Sequence, residues 1–243
     1  MNLILFESGE LREGAVTVQG TRAEHLIHVL RVVEGQVVRI GLLDGPVGMG
    51  TVVSVADGHV DLHCAFEGTP RPRPAVDLLL ALPRPKVMRR LWAQLAALGV
   101  DRIVLTNADR VERDYFDTHI LREETYRPLL VEGLQQARDT ALPRVSIHKQ
   151  FRALVEDELD ALVQDSARIA AHAGENRSLR AAVKESGGTR ALLAVGPEGG
   201  WNDFELRLLE AHGFRIADAG PRTLRSDTAC VALIALVHDA LGS

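Results

Sequence analysis

From residue 76 onward, short apolar segments alternate with stretches typical of helices. VDLLLALP (76–83) precedes a helical pattern, KVMRRLWAQLAALG (86–99), and a second β-type segment, DRIVLTN (101–107). Four more β-type segments follow: RVSIHKQ, ARIAAHAG, ALLAVGPEGG and FRIADAG. Continuous apolar strands that alternate with helices are typical of a mostly parallel sheet with both faces covered. The pattern therefore predicts an α/β domain.

The residues before this domain follow a different pattern. Turn signals separate three segments rich in β-forming residues: VVRIGLL, GTVVSVA and HVDLHCAF. A short helix is predicted at RAEHLIHVLR (22–31), and three prolines in EGTPRPRPA (67–75) favour an extended connector. The expected organisation is a small β-barrel in residues 1–68, a linker in 69–75 and the α/β domain in 76–243.

The charge of the chain is unevenly distributed. The formal net charge of -5 argues weakly against a nucleic-acid partner. Residues 69–95, however, contain six basic residues against the single acidic Asp77, a local charge of +5: Arg71, Arg73, Arg84, Lys86, Arg89 and Arg90. Such a patch can bind a phosphate backbone. A solvated helix face next to a linker explains it equally well.

Several classes of protein are disfavoured by the remaining composition. The two cysteines, Cys64 and Cys230, lie far apart, so a disulfide framework is not supported and Cys230 is expected to be a buried free thiol. No basic start precedes an apolar stretch, and no apolar run is long enough to cross a bilayer. We expect a cytoplasmic protein without a membrane segment. The nine histidines show no ligand spacing, so no metal site is predicted.

The segment LLAVGPEGGWNDFE (192–205) contains the first candidate site. A buried strand is expected to end at Gly196-Pro197-Glu198-Gly199-Gly200, and Asn202 with Glu205 forms a capping pattern for the next helix. Glycines allow a ligand to approach the backbone closely, and a helix start offers free N–H groups. A sharp turn without a ligand is the alternative.

Two further strand ends resemble the first in being followed by small residues. ADAGPRTLRSDTA (217–229) places Arg222 and Arg225 before an apolar helix. The alternative to a ligand contact is that one of them caps carbonyls or pairs with Asp218 or Asp227. RIAAHAGENRS (168–178) ends near His172, which is either a ligand contact or a structural residue. Ligands of open α/β sheets bind beyond the carboxyl ends of the strands.

These motifs, in this order, resemble those of the RsmE family of 16S ribosomal RNA methyltransferases, which belong to the SPOUT superfamily. GPEGG-W-x-x-x-E and the later AGPRTLRSDTA (219–229) are similar to the family's two C-terminal motifs. The similarity extends upstream to three segments: HLIHVLR (25–31), LPRPKVMRRLWAQLAALGVDRIVL (82–105) and EGLQQARDTALP (132–143). It therefore spans nearly the whole chain.

The resemblance implies a PUA-like RNA-binding barrel followed by a SPOUT domain with a C-terminal trefoil knot. It also implies a homodimer whose active site lies at the subunit interface, with S-adenosylmethionine as cofactor and ribosomal RNA or the small ribosomal subunit as partner. The residues expected at the cofactor are His172, Ala173, Gly174, Val195, Gly196, Pro197, Glu198, Gly199, Gly200, Ala219, Gly220, Leu224, Arg225, Ser226, Thr228 and Ala229.

For catalysis, the resemblance implies methylation of uridine N3, whose proton must leave while negative charge spreads onto O2 and O4. A fixed arginine beside those oxygens would stabilise that charge, and Arg225 is the expected residue. Arg138 or Arg113, from the partner subunit, is the alternative. Asp227 would orient Arg225 or accept the proton. The residues expected to contact RNA are Arg22, His28, Arg31, Arg84, Lys86 and Arg113.

Three other functions stay open on the sequence. The first is a non-catalytic RNA-binding or ribosome-assembly protein of the same fold. The second is a SPOUT enzyme that acts on another RNA or on a ribose hydroxyl. The third is a nucleotide-dependent oxidoreductase, although the chain has no G-x-G-x-x-G fingerprint after a strand.

Overall fold

The computed structural model describes residues 3–174, 176–218, 220, 222 and 224–242. The chain forms two compact units, which we call unit 1 (residues up to Arg73 together with Val131–Leu142) and unit 2 (Pro74–Leu130 and the chain from Pro143 onward). This division differs from the contiguous boundaries predicted from the sequence. Residues 131–142 belong to unit 1 because they bond to it: Thr140 donates its hydroxyl to the Gly45 carbonyl at 2.7 Å.

Unit 1 contains a five-stranded sheet in the order β1-β3-β4-β5-β2. Strands β1 and β3 are parallel, and the other neighbouring pairs are antiparallel. The strands are β1 (Ile4–Phe6), β2 (Ala15–Gln19), β3 (Val37–Leu42), β4 (Val47–Ala56) and β5 (His59–Phe66). The helix predicted at 22–31 is observed as α1 (Gly20–Glu24) and a π-helical turn (His25–Leu30).

The core of unit 1 follows from the alternation of its strands. In β2, Val16 and Val18 point inward while their neighbours are exposed. In β5, Val60, Leu62 and Cys64 do the same. Together with side chains of β1, β3 and the π-helical turn, these residues form one buried apolar cluster. An antiparallel sheet with one covered face shows this two-residue period.

Unit 2 contains a six-stranded sheet in the order β11-β9-β10-β6-β7-β8, and every neighbouring pair is parallel. The strands are β6 (Val76–Ala81), β7 (Val100–Thr106), β8 (Arg144–His148), β9 (Ala167–His172), β10 (Ala191–Val195) and β11 (Arg215–Asp218). Every residue of β6 and β10 is buried, as expected for central strands covered on both faces. The predicted α/β architecture with a mostly parallel sheet is confirmed.

Helices connect and cover these strands. They are α2 (Pro85–Ala97), α3 (Glu123–Ala137), α4 (Phe151–Ala153), α5 (Leu159–Leu162), α6 (Leu179–Ser186), α7 (Asp203–Ala211) and α8 (Ser226–Leu241), with a π-helical turn (Leu154–Glu158) between α4 and α5. Helix α8 packs against α2 and α6 and against the central strands β6 and β10. Among the described residues, no helix is both long and apolar enough to span a membrane.

Candidate active site

The three strand ends that the sequence singled out belong to adjacent strands. In β9 and β10, Ala171 lies opposite Val195, and in β9 and β11, His172 lies opposite Asp218. All three strands run in the same direction, so the chain leaves them at one edge of the sheet. A hydrogen bond joins two of the corners, since the backbone N–H of Gly174 donates to the side-chain carboxylate of Asp218 at 3.3 Å. The structure therefore brings the three corners together.

The corner after β10 depends on its glycines. Gly200 has φ +73°, a conformation that favours glycine, and its N–H donates to the Pro197 carbonyl at 2.8 Å. A methyl group at Gly196 would lie 3.1 Å from the Trp201 indole, and one at Gly200 would lie 3.7 Å from the His172 ring. The backbone of this corner thus passes close to the buried Trp201 indole and to the half-buried His172 ring.

Glu205 fixes this corner to the loop after β7. The capping box is present, because the Asn202 amide oxygen accepts from the Glu205 N–H and the Glu205 carboxylate accepts from the Asn202 N–H, both at 2.9 Å. The other oxygen of Glu205 accepts from the Asp109 N–H at 2.7 Å. Only 3% of Glu205 is exposed. One buried carboxylate therefore holds two loops at the carboxyl edge of the sheet.

Arg110, on the same loop after β7, was not predicted as a site residue. Its guanidinium donates to the Gly199 carbonyl and, at 3.4 Å, to the Gly200 carbonyl. The sequence contains no motif that links Arg110 to the glycines, because the pairing depends on the order of strands in the sheet.

The predicted catalytic pair, Arg225 and Asp227, lies at the start of α8. Arg225 is exposed at the N-cap, and Ser226 is buried with a hydroxyl that has no hydrogen-bond partner among the described residues. Asp227 accepts a hydrogen bond from Arg90 on α2 at 2.7 Å. Asp227 is thus paired with Arg90, and its role toward Arg225 stays a prediction.

The pairing also bears on the role of Asp227 as a base. The hydrogen bond from Arg90 holds the pKa of Asp227 below its usual range, and the Thr228 N–H lowers it further. A carboxylate with a lowered pKa is a poor acceptor for an imide proton. Of the other predicted residues on this segment, Leu224 and Ala229 are half-buried, Thr228 is exposed and Ala219 lies outside the described residues.

Comparison with known proteins places the chain in a family. The RNA methyltransferase domain family matches residues 69–238. The chain belongs to this family. A curated relative, ribosomal RNA small subunit methyltransferase E of Treponema pallidum, is 28% identical over 98% of this chain and 90% of its own length. Ribosomal RNA small subunit methyltransferase E 1 of Borreliella burgdorferi is 26% identical over 96% of this chain and 95% of its own length.

Solved structures share the fold of this RNA methyltransferase family member. Ribosomal RNA small subunit methyltransferase E from Neisseria gonorrhoeae, bound to S-adenosyl methionine, is 18% identical with a TM-score of 0.77, over 98% of this chain and 97% of that one. A putative methyltransferase from Legionella pneumophila, in complex with the same cofactor, is 20% identical with a TM-score of 0.77 over the same shares.

The basic residues predicted for this methyltransferase family member are divided between the units. In unit 2, Lys86 and Arg113 are exposed, and Arg84 lies 3.4 Å from the Glu198 carboxylate. In unit 1, the exposed residues are His28, Arg31 and Arg138. Arg22 is engaged within unit 1, where it pairs with Glu10 at 2.5 Å and donates to the Leu5 carbonyl at 2.9 Å.

Proposed function

We propose that this protein transfers a methyl group from S-adenosylmethionine to N3 of a uridine in 16S ribosomal RNA. The observation that carries the proposal is the convergence of three small-residue corners at the ends of β9, β10 and β11. Relatives that match the chain over nearly its whole length are named ribosomal RNA small subunit methyltransferases, and two structures of this fold contain S-adenosylmethionine. The partner is ribosomal RNA or the small ribosomal subunit, in the cytoplasm.

The residues present at the three corners fit this cofactor. Gly196 and Gly200 let the backbone of the corner pack closely against Trp201 and His172, and Ser226 offers a buried hydroxyl without a described partner. We assign cofactor binding to these residues together with His172 and Gly174. S-adenosylmethionine supplies a methyl group that its sulfonium already activates, so no metal is needed for the transfer.

The protein must hold uridine N3 in line with that methyl and stabilise the charge that develops on the base. Arg225 is exposed beside the corner of β11 and is the proposed contact for O2 or O4 of the uridine. Because Asp227 is paired with Arg90, we do not assign the proton to Asp227. The uridine must leave its stack to reach this position, as in other base-modifying enzymes.

We further propose that the C-terminal segment forms a trefoil knot and that unit 1 is a PUA-like RNA-binding barrel. Strand β11 lies at the edge of the sheet, whereas α8, which follows it directly, packs against the central strands β6 and β10. The chain therefore returns from the edge to the middle between the two elements, as a C-terminal knot requires. A trefoil knot would be a rare exception to the rule that protein chains are unknotted.

A homodimer with its active site at the subunit interface is part of the same proposal. Arg138 of the partner subunit would then reach the bound uridine. Sedimentation velocity of the purified protein tests this directly. A monomer at concentrations at which the enzyme is active would contradict the dimeric site.

Mapping of 3-methyluridine tests the function. Ribosomal RNA from cells with and without the gene is digested with nuclease and analysed by mass spectrometry. We expect one uridine of 16S RNA to lose its N3 methyl in the deletion strain and to regain it on complementation. Methylation at a ribose or in transfer RNA would favour an enzyme that acts on another substrate. An unchanged methylation pattern, together with no heat of binding when S-adenosylmethionine is titrated, would favour a non-catalytic RNA-binding protein.

Arg225→Ala tests the catalytic role proposed for this arginine. Because Arg225 is exposed, the change should leave folding intact, and S-adenosylmethionine affinity should stay near that of the wild type while turnover is lost. Loss of cofactor binding in a folded Arg225→Ala variant would contradict the role proposed for this residue.

A further inference from the structure

A second pocket lies in unit 2 beside the three corners. It has a volume of about 340 Å³ and lies beyond the carboxyl ends of β7 and β8. Its walls come from the loop after β7, the start of α4 and the first turn of α7; they include Asn107, Arg113, Arg152 and Phe204. None of its lining residues is assigned to direct contact with the cofactor, although Asn202 and Glu205 also fix the corner after β10.

The side chains of this pocket are unusual for a merely structural crevice. Phe204 is 49% exposed, although large aromatic side chains are usually covered. The guanidinium of Arg113 forms no hydrogen bond or ion pair within the described part of the chain. The side-chain oxygen of Asn107 is buried and has no partner among the same residues. An open aromatic face, a free cation and an unused acceptor are thus collected in one place.

The frame of the pocket is fixed. Glu205 also lines it, and its buried carboxylate ties Asp109 on one wall to Asn202 on the other. Phe151, on a third wall, stacks on Trp201 with 5.4 Å between ring centroids. Phe204 is four residues from Gly200 along the chain, so a ligand in the pocket would lie next to the corner proposed to hold the methyl donor.

We propose that this pocket binds one unstacked nucleotide of single-stranded RNA beside the target uridine, with its base on the Phe204 ring and its phosphate on Arg113. Exposed aromatic rings next to arginine are the surfaces on which single-stranded bases stack. The inference rests on the proposed function, because it assigns a second contact to the same RNA.

The test separates stacking on the base from attraction to the phosphates. The probes are a fluorescein-labelled oligouridylate and an abasic ribose-phosphate oligomer of the same length, and binding is measured by anisotropy. Phe204→Ala should weaken oligouridylate binding roughly 5- to 150-fold, the range for loss of one stacked base, and should leave binding of the abasic oligomer unchanged. Phe204→Leu should weaken oligouridylate binding as Phe204→Ala does, because leucine keeps apolar area but has no ring on which a base can stack.

Arg113→Ala should weaken binding of both probes. It should also reduce the slope of log affinity against log salt concentration by about 1, the value expected for the loss of one phosphate contact. The matched control is Arg207→Ala, which removes the same charge from an exposed position on α7 outside the pocket walls. Circular dichroism confirms that each variant is folded. Wild-type affinity of Phe204→Ala for oligouridylate, or equal losses for both probes, would overturn the inference.

The outcome is distinguishable from failure of the proposed function. Titration with S-adenosylmethionine and mapping of 3-methyluridine test the methyl transfer without reference to Phe204. If methylation is found while Phe204→Ala binds RNA normally, only the pocket assignment fails. If no methylation is found but the variants lose oligouridylate binding selectively, the pocket stands as an RNA contact and the enzymatic proposal fails.

Discussion

Replacing Glu205 with alanine should destabilise the protein by about 3–5 kcal/mol, a large fraction of the 5–15 kcal/mol typical of a folded domain. The carboxylate is 3% exposed and accepts from two backbone N–H groups, those of Asn202 at 2.9 Å and Asp109 at 2.7 Å. It forms no ion pair with any cation in the described ranges. Its partners are therefore the two N–H dipoles and the start of α7.

The magnitude follows from what the change leaves behind. A hydrogen bond to a charged group contributes about 1.5–3 kcal/mol, and a buried donor without an acceptor costs about 1–3 kcal/mol. Two such bonds give roughly 3–6 kcal/mol, and partial access of water to the exposed Asp109 lowers the upper end. Glu205→Gln keeps the shape and one acceptor oxygen but turns its –NH2 toward the second N–H donor, so about 1.5–3 kcal/mol should be lost.

Urea unfolding followed by circular dichroism measures these differences. Glu210→Ala, an exposed glutamate on the same helix, is the control and should change stability by less than about 0.5 kcal/mol. The expected order of stability is wild type, Glu205→Gln, Glu205→Ala. If Glu205→Ala unfolds at the same urea concentration as the control, with an unchanged slope, the carboxylate does not hold the two loops and the reasoning is refuted.

Three other variants or assays test the site. Gly200→Ala should lower stability by about 1–2 kcal/mol through its positive φ. Gly200→Ala and Gly196→Ala should both lower S-adenosylmethionine affinity, because both glycines are assigned to the cofactor site and a methyl group at Gly196 would press on the Trp201 indole; unchanged affinity of the folded variants in calorimetry would contradict the assignment. Asp227→Asn should cost less than about 1 kcal/mol at neutral pH. Because the folded pKa of Asp227 is lowered, this difference should shrink as pH falls below about 4, and a difference that grows there would contradict the pairing with Arg90. Cys230, whose burial raises its pKa to about 12, should react with a thiol reagent only after denaturation.

The strands of unit 2 were predictable because burial on both faces leaves continuous apolar runs. Residues Leu78 to Ala81 and all of β10 are apolar, and small residues mark the point where β10 ends. The prediction that Cys230 is a buried free thiol is confirmed for the same reason, since it lies in the apolar run of α8. The local sequence pattern is sufficient to predict burial wherever the environment of a residue is set by its own strand or helix.

Pairings between distant elements were not predictable in the same way. Arg90 and Asp227 are 137 residues apart, and Asp109 and Glu205 are 96 apart. Each contact exists because of the order in which strands lie in the sheet, and no local pattern specifies that order. The same limitation applies to residues 131–142, whose helical pattern does not reveal that they bond to unit 1.

The pairing of Arg90 with Asp227 bears on whether the positive charge of Arg225 is available to the proposed substrate. A carboxylate two residues from Arg225 is the nearest candidate in sequence to neutralise it, and neutralisation would reduce the attraction of the guanidinium for a developing anion. In this structure that carboxylate instead accepts a 2.7 Å hydrogen bond from Arg90. A helix start is also the positive end of the helix dipole, so Arg225 and the dipole of α8 act with the same sign. Negative charge is therefore what this end of α8 favours electrostatically, as the role proposed for Arg225 requires.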